Sequence, residues 1–367
     1  MTDTSVAYKC PNCGGPLEFQ PGASQVVCPY CDTQLDVAQM EALFARQQER
    51  AAAAQEAKEE RWNTEMAGKE WSTEEAAILK AFTCSACGAE IVCDENTLAT
   101  ECCYCGNPTM LPNRFSGMLK PDYVIPFQKT KEDAVAALKE FYKGKRLLPA
   151  AFTANNRVED IQPMYVPFWL FDSKVHASAD FQGEDDNVME TSDEIITETR
   201  VFQCIRSGRM SFHKIPVDGS SKMDDTYMES IEPFDYSQMV PFSPAYLTGF
   251  LADKYDVDAE ASVPRADERV EWSAVGVLEE TVRGYDRKTL QDSVVRKEED
   301  QVAYALAPVW ILTTRYQDKP YTFMMNGQTG KMVGTLPYDN QKSLMVMGAV
   351  AAILTPVLYF VGKMFLT

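Results

Sequence analysis

Apolar and polar residues alternate in three rhythms along this chain, and each rhythm predicts a different kind of element. From Phe115 to about Asp339, short alternating runs rich in aromatic and β-branched residues predict strands, broken by segments of helical period. Asp122-Tyr-Val-Ile-Pro-Phe127 precedes a helical run, Lys131–Tyr142, and Pro167-Phe-Trp-Leu-Phe171 opens a strand continuing through Lys174-Val-His-Ala-Ser-Ala. The same order returns further on. Asp235-Tyr-Ser-Gln-Met-Val-Pro-Phe242 precedes a helical run near Tyr246–Tyr255, and Pro308-Val-Trp-Ile-Leu312 opens a strand over Thr313–Tyr316 that pairs with Tyr321–Met325. The repetition predicts two related α+β halves packed together. Between them, residues 265–300 carry Trp272, Val275, Val277, Leu278 and Val282 among alternating charges and predict one or two helices over the sheet. Tyr321–Gly334 reads as a hairpin, its turn at Asn326–Gly330 supplied with glycines where a positive φ is needed.

The second rhythm lies upstream. Residues 38–80 have helical spacing at Met40, Leu43, Phe44 and Gln47 and high helix propensity through Ala51–Ala54, with a break at Gly68 and an N-capped turn at Trp71–Glu75. The third is unbroken apolarity. Leu344–Gly362 runs for nineteen residues without a charge, flanked by Lys342 and Lys363, and predicts one membrane-spanning helix. The expected fold class is therefore α+β, organised as residues 1–37, 38–80 (helical linker), 81–112, 113–342 (duplicated α+β domain) and 343–367 (membrane anchor).

Cysteines give the two remaining segments their meaning. Cys10-Pro-Asn-Cys13 is followed after fourteen residues by Cys28-Pro-Tyr-Cys31, and Cys84-Ser-Ala-Cys87 after fourteen residues by Cys102-Cys-Tyr-Cys105. Each CxxC knuckle aims two sulfurs at one ion, and the loop brings a second knuckle round to complete a four-thiolate site, so residues 1–37 and 81–112 read as two zinc ribbons joined by the helical linker. Two structural zinc ions are expected, on Cys10, Cys13, Cys28 and Cys31 and on Cys84, Cys87, Cys102 and Cys105. Four thiolates leave no open coordination position, so catalysis at the metal is not expected. Cys103 has the wrong spacing to replace Cys102, and Cys93 and Cys204 read as packed or free thiols. The first ten residues show no apolar export signal, so a reducing, cytoplasmic setting is expected, with the chain held at the cell membrane by Leu344–Leu366.

Charge narrows the partners. The formal net charge is -19. Residues 1–37 carry Lys9 and no other Lys or Arg, against Asp3, Glu18, Asp32 and Asp36; residues 82–112 carry Glu90, Asp94, Glu95 and Glu101 with no Lys or Arg. Neither ribbon offers the basic footprint that phosphate binding requires, which argues for protein partners over nucleic acid. No catalytic constellation stands out. His176 and His213 have no nucleophile motif beside them, the acidic runs Gly183–Asn187 and Arg296–Asp300 lack EF-hand spacing, and Gly327-Gln-Thr-Gly330 lacks the helix that a phosphate loop needs.

With both quartets, the Val166–Phe171 stretch and the Tyr321–Gly334 hairpin in view, the chain resembles a bacterial family of TFIIB-type zinc-ribbon membrane proteins, often labelled primosomal or helicase-like. The hairpin resembles the closing hairpin of PepSY-type domains. The resemblance implies partners among membrane proteins of the envelope-stress response. With the ribbons, the acidic domain and the anchor, the expectation is a membrane-anchored adaptor or scaffold that recruits cytoplasmic proteins, and, with no catalytic constellation, not an enzyme. The helicase label finds no GxxxxGK[ST] loop to support it. Two other readings stay open: an enzyme or ligand-binding domain using a cleft between the α+β halves, and a nucleic-acid-binding ribbon protein.

Overall fold

The computed structural model describes residues 62–366 apart from 95–96, 98–100, 114, 116, 156–157, 192–193, 224 and 318, and before them 10, 17, 25–31, 33–36, 38–39, 42 and 45. Within these, the side chains of 155, 159, 299, 357 and 359–366 are not described. The fold is mixed α+β. The strands are β1 (Gln25–Val27), β2 (Gln34–Asp36), β3 (Leu79–Cys84), β4 (Glu90–Asp94), β5 (Met110–Asn113), β6 (Tyr123–Val124), β7 (Gln162–Glu190), β8 (Ile195–Asp218), β9 (Val240–Pro241), β10 (Leu251–Asp253), β11 (Arg287–Tyr316), β12 (Lys319–Asn326) and β13 (Met332–Gly334). The helices are α1 (Thr73–Ala77), α2 (Lys131–Tyr142), α3 (Ala150–Asn155), α4 (Asp225–Ile231), α5 (Ala259–Glu280) and α6 (Asn340–Leu366). The chain divides into two compact units, one of residues 1–63, 172–215 and 264–301, the other of residues 64–171, 216–263 and 302–367.

In the second unit the strand order is β13-β12-β11-β7-β10-β4-β3-β5. Side chains of period 2 sort to its two faces. Ala305, Ala307, Val309 and Ile311 of β11 join Met164, Val166, Phe168 and Leu170 of β7 in one core, while Trp310 and Leu312 join Phe323, Met325 and the helix residues Ala134 and Leu138 in another. A continuous apolar run such as Val166–Phe171 is what a strand buried on both faces requires. Ribbon strands β3 and β4 belong to this same sheet, β4 pairing antiparallel with β10, and Phe82, Ile91 and Cys93 enter the first core.

Two hydrogen-bonded frames in this unit repeat each other residue for residue. Strand β10 lies parallel to β7 with Leu251 opposite Met164, and β6 lies parallel to β11 with Tyr123 opposite Ala305. The Trp169 indole N–H donates to the Val257 carbonyl at 2.9 Å, and that of Trp310 to the Lys129 carbonyl at 3.0 Å. Gly219 N–H donates to the Pro167 carbonyl, as Gly327 N–H does to that of Pro308. Asp256 and Val257 then donate to the Gly219 carbonyl, as Gln128 and Lys129 do to that of Gly327. A capped helix follows in each frame: Asp258 accepts from Ala261 N–H at the start of α5, and Thr130 from Asp133 N–H at the start of α2. The frames are assembled by exchange. The strand-helix segment that precedes Trp169 in sequence docks on the Trp310 strand, and the segment that precedes Trp310 docks on the Trp169 strand. The sequence likens Asp122–Phe127 to Asp235–Phe242, but the frame equivalent of β6 is β10; β6 and β9, from those two segments, pair with each other instead, Val124 opposite Val240.

The first unit holds the described part of the first ribbon, with β1 and β2 paired antiparallel. It also contains most of α5 and long stretches of β7, β8 and β11. Val175, Ala177, Ala179 and Phe181 of β7 are buried in alternation with more exposed neighbours. Trp62 is buried here; its indole N–H donates to Asp267 at 2.7 Å and the Lys297 ammonium stands 5.0 Å from the ring centroid.

Several expectations need correction. Tyr246–Tyr255 is not a helical run: a short 3-10 turn, Pro244–Leu247, leads into β10, because the parallel ladder with β7 captures the backbone of Leu251–Asp253. Residues 265–300 are only half helical. After α5 the chain turns at Gly284 (φ +87°) and residues 287–300 extend as β11. In the linker the described residues 38, 39, 42 and 45 are helical, as expected, and 40–41, 43–44 and 46–61 lie outside the described residues; between 62 and 80 only Thr73–Ala77 is helical, started by a Ser72–Glu75 capping box, and Leu79 already begins β3.

The C-terminal helix forms, with Asp339 accepting from the N–H groups of Gln341 and Lys342 at its start. The expected transmembrane span is not met: among the described residues no helix is long and apolar enough to cross a membrane. Side chains are described without a break from Leu344 to Pro356, about 20 Å of helix at about 1.5 Å per residue, against a hydrocarbon core of about 30 Å. The rest of the expected span, 357 and 359–362, lies outside the described side chains.

Candidate metal centres

The second quartet closes as its spacing requires. The sulfurs of Cys84, Cys87, Cys102 and Cys105 all lie within 4.8 Å of one another, Cys84–Cys105 at 3.7 Å and Cys87–Cys102 at 3.6 Å. A disulfide would bring two of them to about 2.05 Å. A tetrahedral ion with metal–sulfur bonds of about 2.3 Å sets its ligands about 3.8 Å apart, so the observed spacing is that of four thiolates around one ion. In the first quartet Cys10, Cys28 and Cys31 converge in the same way, with Cys10–Cys31 at 3.6 Å, while Cys13 lies outside the described residues.

Local backbone bonding builds each knuckle. Cys84 N–H donates to the Ala89 carbonyl and Gly88 N–H to the Cys84 carbonyl; Cys102 N–H donates to Asn107 and Gly106 N–H to Cys102. Gly88 and Gly106 sit at φ +71° and +65°, the left-handed region that lets the chain reverse after a ligand pair. In the first ribbon Cys28 N–H donates to Thr33 in the equivalent place. A hydrogen bond from the Cys103 thiol, with backbone N–H groups of Cys105 and Tyr104 aiding, pulls Cys102 down to about 4, whereas burial pushes Cys87 up. Four thiolates crowded in a buried pocket repel one another, and a divalent cation is what allows all of them to ionise.

The two quartets differ in what stands between their second-pair ligands. Tyr30, in Cys28-Pro-Tyr-Cys31, is 69% exposed. At the matching place, Cys103 and Tyr104 turn inward: the Cys103 thiol is buried with its sulfur 4.0 Å from that of Met164, and the Tyr104 hydroxyl donates to the same Met164 sulfur at 3.4 Å. The Cys103 carbonyl accepts from Thr313 at 2.6 Å and the Cys105 carbonyl from Arg315 at 3.3 Å. Spacing alone could not reveal this core contact; the apolar Cys103 in place of Pro29 was its one trace. Cys93 is buried with its thiol on the Thr97 carbonyl, and Cys204 is buried in the first unit. His176 meets Ser207 at 3.0 Å and the exposed His213 lies 3.7 Å from Asp172; among the described residues neither joins a cysteine cluster.

No family model and no solved structure matches the chain. Over 339 residues it is 33% identical to "Uncharacterized protein YdjG" of Bacillus subtilis (strain 168), an alignment that covers 92% of each chain. Identity at that level over nearly the full length of both proteins means that this chain belongs to the YdjG family.

Proposed function

We propose that the protein is a zinc-ribbon scaffold attached to a membrane, whose first ribbon recruits protein partners while its second serves as a structural joint. The carrying observation is the contrast between Tyr30, 69% exposed beside its ligands, and Tyr104, packed against the core from the same position. Pro29 and Val27 are exposed beside Tyr30, giving a small apolar tip of the kind that partner recognition uses. Zinc is the assignment because a soft, four-thiolate tetrahedral donor set with no open position suits a structural zinc ion. Membrane attachment is supported by the C-terminal helix, where Leu344, Met345, Ile353 and Leu358 are each exposed by more than half. Contiguous apolar exposure of this kind calls for a covering surface. The reading resembles what the TFIIB-type ribbon family implies, with the bulk of the chain facing the cytoplasm.

The test is a crosslinked pull-down of the full-length protein from membranes beside Tyr30→Ala and Cys10→Ser variants, with zinc measured in each. Tyr30→Ala should keep its zinc and lose the partners. Partners that survive both substitutions would remove recognition from the first ribbon. Fractionation of the same cells checks the attachment: recovery of the full-length chain in the soluble rather than the membrane fraction would end the membrane reading, and carbonate extraction of the membranes separates insertion from surface attachment.

A further inference from the structure

Acidic residues outnumber basic ones in this chain, whose net charge is -19, yet Lys143, Lys145 and Arg146 fall within a span of four residues. They occupy the turn that ends α2. Gly144, at φ +75°, reverses the backbone there, and the buried Leu148 pins the far side of the turn in the same core as Leu138 and Phe152. Between these points Lys143, Gly144, Lys145, Arg146 and Leu147 all stand exposed.

This turn is bonded to the start of α6. The Leu147 carbonyl accepts from Asp339 N–H at 2.8 Å, and the Leu148 carbonyl accepts from the Lys342 ammonium at 2.8 Å. Tyr338, 69% exposed, precedes that contact by one residue, and the exposed apolar run of α6 begins at Leu344. From Asp339 to Leu344 the helix rises about 7.5 Å. A surface that covers Leu344 therefore lies about one Debye length, about 8 Å in physiological salt, from the basic turn.

The charge at the base of α6 is positive. Residues 139–148 and 339–342 together hold five Lys or Arg and two acidic residues, Glu140 and Asp339. Asp339 is occupied by the N–H groups of Gln341 and Lys342. Glu140 pairs with Lys143 at 3.1 Å, but both side chains stand in water, where such a pair is weak. Lys145 lies over the Phe141 ring, 5.7 Å from its centroid, and keeps its charge there.

We propose that this basic turn, with Leu147 and Tyr338 beside it, is a docking surface for the anionic headgroups of a phospholipid membrane. The inference rests on the membrane attachment proposed above and adds which lipids that attachment selects. Nucleic-acid phosphates carry the same charge but offer no apolar cover for Leu147, Tyr338 and Leu344. The boundary between headgroups and acyl chains accepts aromatic and aliphatic side chains next to basic ones. The acidic remainder of the chain is repelled by such a surface, so the patch also sets which side of the protein faces it.

The experiment is flotation of the full-length, zinc-loaded protein on phosphatidylcholine vesicles, with and without phosphatidylglycerol, at low and high salt. Phosphatidylglycerol should tighten binding at least about tenfold at low salt, and high salt should erase the gain. Lys143→Gln/Lys145→Gln/Arg146→Gln should lose the gain and keep the native affinity for pure phosphatidylcholine. Arg146→Gln alone should lose about fivefold on the anionic vesicles, which decides the matter if the triple variant fails to fold. Lys69→Gln/Lys80→Gln/Arg283→Gln removes as much charge elsewhere and should keep the gain. Equal binding of the native chain to both vesicles would overturn the headgroup assignment and leave the attachment standing. A gain retained without the basic turn, or lost in the charge-matched control, would do the same. Binding to neither vesicle would overturn the attachment and this inference together. Displacement by duplex DNA at equal phosphate concentration would give the patch to nucleic acid instead.

Discussion

The Tyr104 hydroxyl, one residue from the ligand Cys105, donates to the sulfur of Met164 in the central strand β7 at 3.4 Å. Metal ligation and core packing therefore share one knuckle. An ion held by Cys84, Cys87, Cys102 and Cys105 would fix the loop that carries Cys103 and Tyr104 into the sheet core, and its binding energy would become folding energy of the unit.

The first prediction follows from that coupling. Cys84→Ser should remove about one zinc ion per chain and lower the melting temperature of the whole second unit, read by calorimetry with metal analysis. Cys28→Ser should also remove about one ion, yet leave that transition in place. Equal destabilisation by the two substitutions would contradict the coupling.

Asp253 makes stability depend on pH. Its folded-state pKa of about 7 lies above the unfolded value of about 3.9, so the folded state holds an extra proton between them. Stability should fall as pH rises from about 4 to about 7 and then level off, by up to about 4 kcal/mol in all. Urea denaturation across that range should show the slope in the native chain and a much smaller one in Asp253→Asn.

Asn326 closes the β12–β13 hairpin from inside. Its side chain is fully buried, donating to the carbonyls of Ile231 and Pro233 and accepting from the N–H groups of Gln328 and Thr329. Asn326→Ala would leave several of those backbone groups unpaired in the interior. The expected loss is about 3 kcal/mol or more by denaturant unfolding.

The two frame glycines should differ in tolerance. A Cβ on Gly327 would meet the Phe127 ring at 2.7 Å and the Pro308 Cβ at 2.9 Å, whereas one on Gly219 would meet Trp169 and Pro167 at 3.2 and 3.3 Å. Gly327→Ala should cost about 1–3 kcal/mol through overpacking, and Gly219→Ala less. Paired thermal melts measure the order, and the reverse order would refute it.

In the first unit, Trp62→Phe keeps most of the apolar contact and deletes the bond to Asp267. It should cost about 1–2 kcal/mol, and Trp62→Ala about 3–5 by the cavity it leaves. Comparing the two by urea midpoints separates the hydrogen bond from the packing.

The sequence by itself determined the chemistry that depends on short spacing. A CxxC knuckle acts over four residues, so Cys84, Cys87, Cys102 and Cys105 were legible as one ligand set, as were Cys10, Cys28 and Cys31. The pairing of Thr313–Tyr316 with the strand over Tyr321–Met325 and the Asn326–Gly330 turn were legible for the same reason, since local φ/ψ preferences fix them; Pro320, read as part of the first turn, already pairs with Arg315. Tertiary structure decided everything that rests on contacts distant in sequence. Leu251–Asp253 has helical neighbours and becomes a strand because Met164 and Tyr165 offer it a ladder on one side and Ile91 and Val92 on the other. The exchange of strand-helix segments between the Trp169 and Trp310 strands leaves no mark in periodicity, which records which face is apolar but not which partner covers it. The equivalence of Asp253 and Ile125, which follow Ala252 and Val124 at the same place of the two ladders, becomes visible only once both ladders are in register.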